Sequence, residues 1–314
     1  MEDNFDIIVI GGGPAGMTAG IYAARAGMKV LVIEKMMVGG QVALTSTIAN
    51  YPGLANVDGM DLSMKMHQQM TELGVVTQYA TVDSIDFYGE PKSVVASGVT
   101  YYAPAIILSM GATSRGLGVP GEKEFAGRGV SYCAVCDGAF FRNKTVVVVG
   151  GGNTALQDAI YLNNIVDKVY LVHRRAEFRA DDAVIKEFEA LRATPDSKIE
   201  CKLGYTVQKI EGEGKVSNIV LRNLDNQELE SIATDGIFVA VGRSPNTELL
   251  DDQITLENGY IVVDESMQTN IEGVFASGDI NRKKLRQIAT AISDGAIAGT
   301  NASAFVKKLK KRGQ

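Results

Sequence analysis

Tryptophan is absent from this chain, and among its 314 residues there are only two histidines and three cysteines. Two of the cysteines stand together as C-x-x-C, so the spread, paired cysteines that staple a small secreted domain are missing. No apolar run approaches the roughly 20 residues needed to cross a bilayer. The N-terminus, MEDNFDIIVIGGG, is acidic and enters a strand at once, unlike a secretory signal. The net charge of −6 gives no basic excess to draw the chain to nucleic acid or an anionic membrane. The basic tail KKLKKRGQ reads as a solvated helix end. These absences lead us to expect a cytoplasmic protein in a reducing compartment, with no membrane and no nucleic acid among its partners.

Glycine, by contrast, is plentiful, at 34 residues gathered in GGG and GG clusters where backbone must approach something closely. The length exceeds the usual size of one hydrophobic core, so two domains are expected. The continuous apolar runs FDIIVI, KVLVIE, KTVVVVG and KVYLVHR read as strands buried on both faces of a parallel sheet. Helical stretches lie between them, AGMTAGIYAARAG and NTALQDAIYLNN. The order strand, Gly-rich turn, helix, strand therefore occurs twice, from about Phe5 to Glu34 and from about Lys144 to His173, as an internal duplication. The alternating segment GYTVQKIEGEGKVSNIVLRN reads as antiparallel sheet. Crossings between domains are expected near Gly111–Gly121 and Gly242–Asn246, so the second domain is inserted into the first.

Gly11, Gly13 and Gly16 form G-x-G-x-x-G between a strand and a helix. That pattern gives a tight turn and lets backbone approach a pyrophosphate at the helix N-terminus. Glu34 stands 23 positions after Gly11, at the end of the next strand, where a carboxylate can accept from ribose hydroxyls. The second turn has Gly150, Gly152 and Ala155, and the same count from Gly150 reaches His173. Around it stand Arg174, Arg175 and Arg179. A 2′-phosphate would be repelled by a carboxylate and bound by guanidinium groups. The first site therefore suits an unphosphorylated ribose and the second suits NADP(H), against the plainer reading of HRRAEFR as a charged helix start.

The pair Cys133 and Cys136 admits three readings. Structural zinc needs about four ligands, and Cys201, His67 and His173 are isolated from the pair and from each other. A static disulfide has little purpose in a large cytosolic protein. A redox pair needs two close thiols, one activated for attack, and Asp137 offers an adjacent carboxyl for proton transfer. Two dinucleotide turns beside the dithiol favour the redox reading. Cys201 reads as a spectator, and His67 as ordinary helix.

With these motifs in hand, the chain resembles the bacterial, low-molecular-weight type of thioredoxin reductase, an FAD flavoprotein, from about residue 5 to the C-terminal helix. The shared signatures are GGGPAG, GGQ, NYPG, CAVCDG, GGGNTA, HRRAEFRA, GRSPNT, GVFASGD and RQ at Arg286–Gln287. The resemblance implies an α/β fold of two Rossmann-like dinucleotide-binding domains of the three-layer ββα type, one inserted in the other. Residues 1–113 and 244–314 would bind FAD, and residues 117–242 would bind NADPH and carry the dithiol. It places Gly11, Gly13, Pro14, Ala15, Gly16, Glu34, Lys35, Gly39, Gly40, Gln41, Asn50, Gly278, Asp279, Ile280, Arg286, Gln287 and Ile288 at FAD. It places Gly150, Gly152, Asn153, Thr154, Ala155, His173, Arg174, Arg175 and Arg179 at NADPH. Cys136 takes the flavin-proximal position, Cys133 is its disulfide partner and Asp137 is the acid–base residue. No metal is implied; a homodimer is.

The implied activity is that of a thioredoxin-disulfide reductase. NADPH reduces FAD, FAD reduces the Cys133–Cys136 disulfide, and the dithiol reduces thioredoxin. Dithiol and NADPH on one body would exchange places at the flavin by rotation about the two crossings. Tyr51 stands where the family often has Trp. Ala139 precedes Phe140 and Phe141, where bulky residues help dock the protein substrate, and Gln157–Asp158 replaces a common acidic pair. Rivals are a reductase serving another disulfide carrier, a ferredoxin-driven enzyme, a thiol oxidase, and a non-catalytic dinucleotide sensor. The intact GGGNTA and HRR motifs speak against the ferredoxin and oxygen routes, and a sensor leaves the dithiol without a task. A peroxidase-linked reductase of the usual kind carries an additional N-terminal dithiol domain, whereas here the first glycine turn begins at Gly11.

Overall fold

A computed structural model describes residues 4–45, 48, 50–54, 56–250 and 253–312. It divides into two compact units, Met1–Thr113 with Ser244–Gln314, and Ser114–Arg243. The second unit is thus an insertion in the first. Among the described residues no helix is long and apolar enough to cross a membrane.

In the first unit the strand Ile7–Ile10 is buried at all four positions, which is why its sequence shows no alternation. It pairs in parallel with Val30–Glu34 on one side and Ala105–Leu108 on the other. Val76–Tyr79 and Val274–Ala276 complete a five-stranded parallel sheet. Alternate residues of the central strand feed two cores. Ile7 and Val9 pack with the helix residues Met17, Ala19 and Ala298, while Ile8 and Ile10 pack with Phe87, Val94 and Tyr101. The latter belong to or adjoin an antiparallel sheet of Val82–Asp86, Lys92–Ala96 and Val99–Ala103. The order is therefore helix layer, parallel sheet, antiparallel sheet. The helix Pro14–Arg25 lies against the long C-terminal helix Ile288–Arg312. A Cβ on Gly295 or Gly299 would collide with the backbone of Ala15 or Ala19, so these glycines set how closely the two helices approach.

The second unit repeats this plan. Its parallel sheet runs in the order Ile199–Leu203, Lys168–His173, Thr145–Val149, Gly236–Val239 and Val130–Ser131. Val146 and Val148 face the helices Asn153–Asn163 and Asp182–Arg192 through Leu156, Leu162 and Phe188. Val147 and Val149 face the antiparallel strands Tyr205–Glu213, Lys215–Asn223 and Leu229–Ala233 through Val207, Ile219, Leu221 and Ile232. Both units are three-layer, Rossmann-like α/β domains.

Candidate functional site

In an open parallel sheet, ligands sit outside the carboxyl ends of the strands where strand order reverses. In the first unit that point lies beyond Ile10 and Leu108. Gly11 has φ +105, and a Cβ there would collide with the Ser109 carbonyl; one on Gly16 would collide with the Gly11 carbonyl. These two glycines serve the turn itself. Gly13 differs, because nothing lies within 4 Å of the place a Cβ would take. It precedes the helix Pro14–Arg25, whose N-terminus has no side-chain cap and no acid in its first turn. Unclaimed N–H groups behind an open glycine fit a pyrophosphate. Glu34 accepts from Gly12 N–H at 2.7 Å and from Met36 N–H at 3.1 Å. Its carboxylate thus steadies the turn while retaining lone pairs for a ribose.

Other residues expected at this site gather around it. Gly39 N–H donates to the Gly12 carbonyl at 2.8 Å, and Gly40 approaches Gly13. The Gln41 amide donates to the Ala112 carbonyl, and Lys35 is exposed. Asn50 Nδ2 donates to Gln287 Oε1 at 3.0 Å, joining segments far apart in the chain. Gly278, against Ala15, donates its N–H to Asp294 at 3.0 Å; Asp279 follows it, and Ile280 is fully buried. Ile288 begins the last helix. The Arg286 guanidinium lies over the Tyr260 ring at 4.2 Å, yet its buried Nε has no hydrogen-bond partner among the described residues. A buried donor without an acceptor suits a polar ligand group. Tyr260 and Asp294 went unnoticed in the sequence, since neither lies in a motif.

The second turn repeats the first. Gly152, like Gly13, faces open space before an uncapped helix with no acid in its first turn, starting at Asn153. Thr154 and Ala155 lie in that first turn, and Ala155 is buried against Gly150. His173 ends its strand with its ring against Gly151, and stacks on Phe178 at 6.0 Å. Burial holds the imidazole below its usual pKa. A hydrogen bond to the Glu177 backbone pulls the other way, and the charges of Arg175, Arg174 and Arg179 push further down. Its Nε2 is buried without a partner among the described residues. Arg174, Arg175 and Arg179 are exposed, and none is in an ion pair with a described residue. Arg179 N–H donates to the Gly151 carbonyl at 2.6 Å, tying the basic loop to the turn. Asn153 and Asp181 exchange hydrogen bonds of 2.7 and 2.8 Å, so Asn153 braces that loop. An unpartnered imidazole edge with three free guanidinium groups fits a phosphate dianion.

Cys133 and Cys136 form a disulfide at the start of the short helix Ala134–Asp137. Cys136 N–H donates to Cys133 Sγ at 3.2 Å, and both residues are half-buried. Burial raises the Asp137 pKa, and a hydrogen bond from Ser131 opposes that rise. Ser131 Oγ donates to Asp137 Oδ2 at 2.6 Å and accepts from Cys133 N–H at 3.1 Å. Glu122, only 3% exposed, accepts from Leu117 N–H, Gly118 N–H and the Tyr132 hydroxyl, and the Tyr132 phenol is pushed up to about 12 by burial and this carboxylate. Ser131 and Glu122 were not singled out in the sequence, although Ser131 sits just before the dithiol at a strand end. Val135, between the two cysteines, and Phe140, four residues after Cys136, are exposed, while Phe141 packs edge-on against Phe238 at 5.3 Å. Cys201 is a half-buried free thiol whose pKa burial raises, and His67 pairs with Thr77 at 3.2 Å. Among the described residues no cluster of three or more His, Cys, Asp or Glu is placed to hold a metal ion.

Residues 5–295 match the family model described as pyridine nucleotide-disulphide oxidoreductase. A thioredoxin reductase of Listeria innocua is 45% identical over 312 residues, covering 99% of this chain and 96% of that protein. One from Bacillus subtilis is 42% identical over 312 residues, covering 99% and 97%. The crystal structure of the thioredoxin reductase from Streptococcus pyogenes MGAS5005 superposes with a TM-score of 0.90 at 41% identity, covering 98% of this chain and all of that one.

Proposed function

Since the chain belongs to the pyridine nucleotide-disulphide oxidoreductases, with full-length relatives that are thioredoxin reductases, we propose the following assignment of that activity to its parts. The protein is an NADPH-dependent thioredoxin reductase that uses FAD. The first unit holds FAD on the Gly11–Gly16 turn, with Glu34 at the ribose and Asn50, Gln287 and Arg286 toward the flavin. The second unit holds NADPH on the Gly150–Ala155 turn, with Arg174, Arg175 and Arg179 around its 2′-phosphate. FAD, when bound, relays two electrons from NADPH to the disulfide.

The chain's own residues do the rest. The reduced pair attacks as a thiolate on one sulfur of the thioredoxin disulfide. A mixed disulfide forms and a thioredoxin thiolate departs. The second cysteine then displaces the other thioredoxin sulfur and closes the Cys133–Cys136 bond again. Two electrons leave the dithiol and two protons end on the thioredoxin thiols. Asp137, whose buried carboxyl binds a proton more readily than an ordinary one, is the group that supplies and reclaims a proton. Val135 and Phe140 offer an apolar rim for the protein substrate. A homodimer and a cytoplasmic location complete this reading.

The observation that carries the assignment is the disulfide beside a second phosphate turn whose ribose position holds His173 and arginines instead of an acid. The test is NADPH oxidation by the yellow holoenzyme with and without thioredoxin from the same source. Consumption that depends on thioredoxin supports the reading, and consumption indifferent to it defeats it.

A further inference from the structure

Ser131 lies between the dithiol and the acid. It ends the edge strand of the second parallel sheet, opposite Phe238, and is 6% exposed. Its hydroxyl has one proton to give, and two acceptors are near: Asp137 Oδ2 at 2.6 Å and the Cys133 carbonyl at 3.4 Å. The shorter contact is charge-assisted when Asp137 is ionised and takes the proton. The oxygen then accepts from Cys133 N–H at 3.1 Å, so a single hydroxyl fixes both the backbone at the first cysteine and the carboxylate. We propose that Ser131 is a positioning residue that holds the Asp137 carboxyl in register with the Cys133–Cys136 pair through the chain Cys133 N–H, Ser131 hydroxyl, Asp137 carboxylate. This rests on the reading of Asp137 as the acid–base group.

The surroundings leave Asp137 with little other support. The helix Asn153–Asn163 packs against the short dithiol helix and carries two titratable groups, Asp158 and Tyr161. Asp158 answers to Arg243, and neither it nor Tyr161 perturbs Asp137. The segment Gly138–Phe141 has no charged residue. Tyr132, the neighbour on the strand side, gives its hydroxyl to Glu122 at 3.0 Å. No cation is placed against the Asp137 carboxylate among the described residues, so burial favours its neutral form and the Ser131 bond is the one opposing influence.

In the reduced enzyme a protonated Asp137 gives its proton to a sulfur leaving as thiolate and is left as carboxylate. The Ser131 bond then strengthens and keeps that carboxylate in place until a thiol proton returns to it. Without the hydroxyl the buried carboxylate loses its donor, and the carboxyl holds its proton to higher pH.

The test compares Ser131→Ala, Ser131→Thr and Asp137→Asn holoenzymes. Ser131→Ala is expected to lower kcat for thioredoxin about tenfold, less than the roughly 10²- to 10⁴-fold that loss of the acid itself would cost. It should move the Asp137-controlled limb of the pH profile upward, while NADPH still bleaches the flavin at the normal rate. Alkylation of the dithiothreitol-reduced pair by iodoacetamide, followed against pH, needs no turnover and should show the same displacement. Ser131→Thr, which keeps a hydroxyl, should recover most of the rate and restore the limb. An unmoved limb in Ser131→Ala alongside an impaired Asp137→Asn overturns the proposal and leaves the acid–base role standing. An unimpaired Asp137→Asn instead defeats that role, and the proposal with it.

Discussion

Glu34 and His173 occupy the same place in the two halves of the molecule, each ending the strand after a glycine turn and resting on that turn's middle glycine. Glu34 accepts the Gly12 N–H at 2.7 Å, and the His173 ring fills the space where a Cβ on Gly151 would stand. One scaffold position thus presents a carboxylate in one unit and an imidazole flanked by arginines in the other. Exchanging the sign of charge at that position is the simplest way for duplicated domains to choose different ribose groups.

The arginines give the first prediction. Arg174 and Arg175 are exposed and in no ion pair with a described residue, so removing them costs the fold little. Their double replacement by alanine should raise the KM for NADPH by about one to two orders of magnitude, the loss of charge-assisted phosphate contacts. The KM for NADH should change little. Steady-state kinetics with both nucleotides checks this, and equal effects on the two would remove the 2′-phosphate assignment.

The glycines give a second. Gly13 has φ −75 and Gly152 has φ −102, conformations open to any residue, with no protein atom near either added Cβ. Valine at either place should therefore leave the unfolding free energy of the apoprotein within about 1 kcal/mol of wild type, the loss expected when a helix N-cap glycine gives way to an apolar residue. Gly13→Val should lose FAD, read as lost yellow colour, and Gly152→Val should lose NADPH affinity while keeping FAD. A substitution that left both affinities intact would show that the open cradles hold nothing.

Much of this fold was legible because sterics wrote it plainly. Strands buried on both faces leave continuous apolar runs, and a turn that admits no Cβ at Gly11 and Gly16 must be written in glycine. The start of the last helix at Ile288 was less visible than its end, because its first half packs through small residues, Ala291, Gly295 and Gly299, whereas Phe305 and Val306 lie in its second half. Ser131, Glu122 and Asp181 were silent for another reason. Each works through hydrogen bonds to partners that only the folded loops bring near, and a lone serine or acid carries no spacing to read. Asn153, expected at the nucleotide, also bonds Asp181, a partner 28 residues away that no local motif announces.

The dithiol supplies a third prediction. Cys136→Ser keeps a side chain of similar size at a half-buried position and removes one sulfur. Flavin reduction by NADPH should persist, and thioredoxin turnover should fall to background, since no disulfide can close. Stopped-flow bleaching with a coupled thioredoxin assay measures both. Residual turnover above about one per cent of wild type would contradict the two-cysteine cycle.

Asp158 carries the last. It lies in the helix that follows the second glycine turn, where burial lifts its carboxyl from 3.8 to about 7 and the Arg243 charge only partly offsets the rise. The folded state therefore keeps a proton that the unfolded state releases near its ordinary value. Between those two values the folded protein binds more protons, so the contribution of this group to stability is whole at about pH 4 and drains away as pH climbs to about 7. At roughly 1.4 kcal/mol per pH unit the loss by pH 8 is up to about 4 kcal/mol. Asparagine keeps the shape and hydrogen-bonding capacity without the titration. Asp158→Asn should match wild type at pH 4 and exceed it in urea unfolding at pH 8 by an amount that saturates above neutrality. Parallel stability curves for the two proteins from pH 4 to 8 would mean that this carboxyl ionises inside the fold as freely as outside it, and that the Arg243 charge cancels its burial.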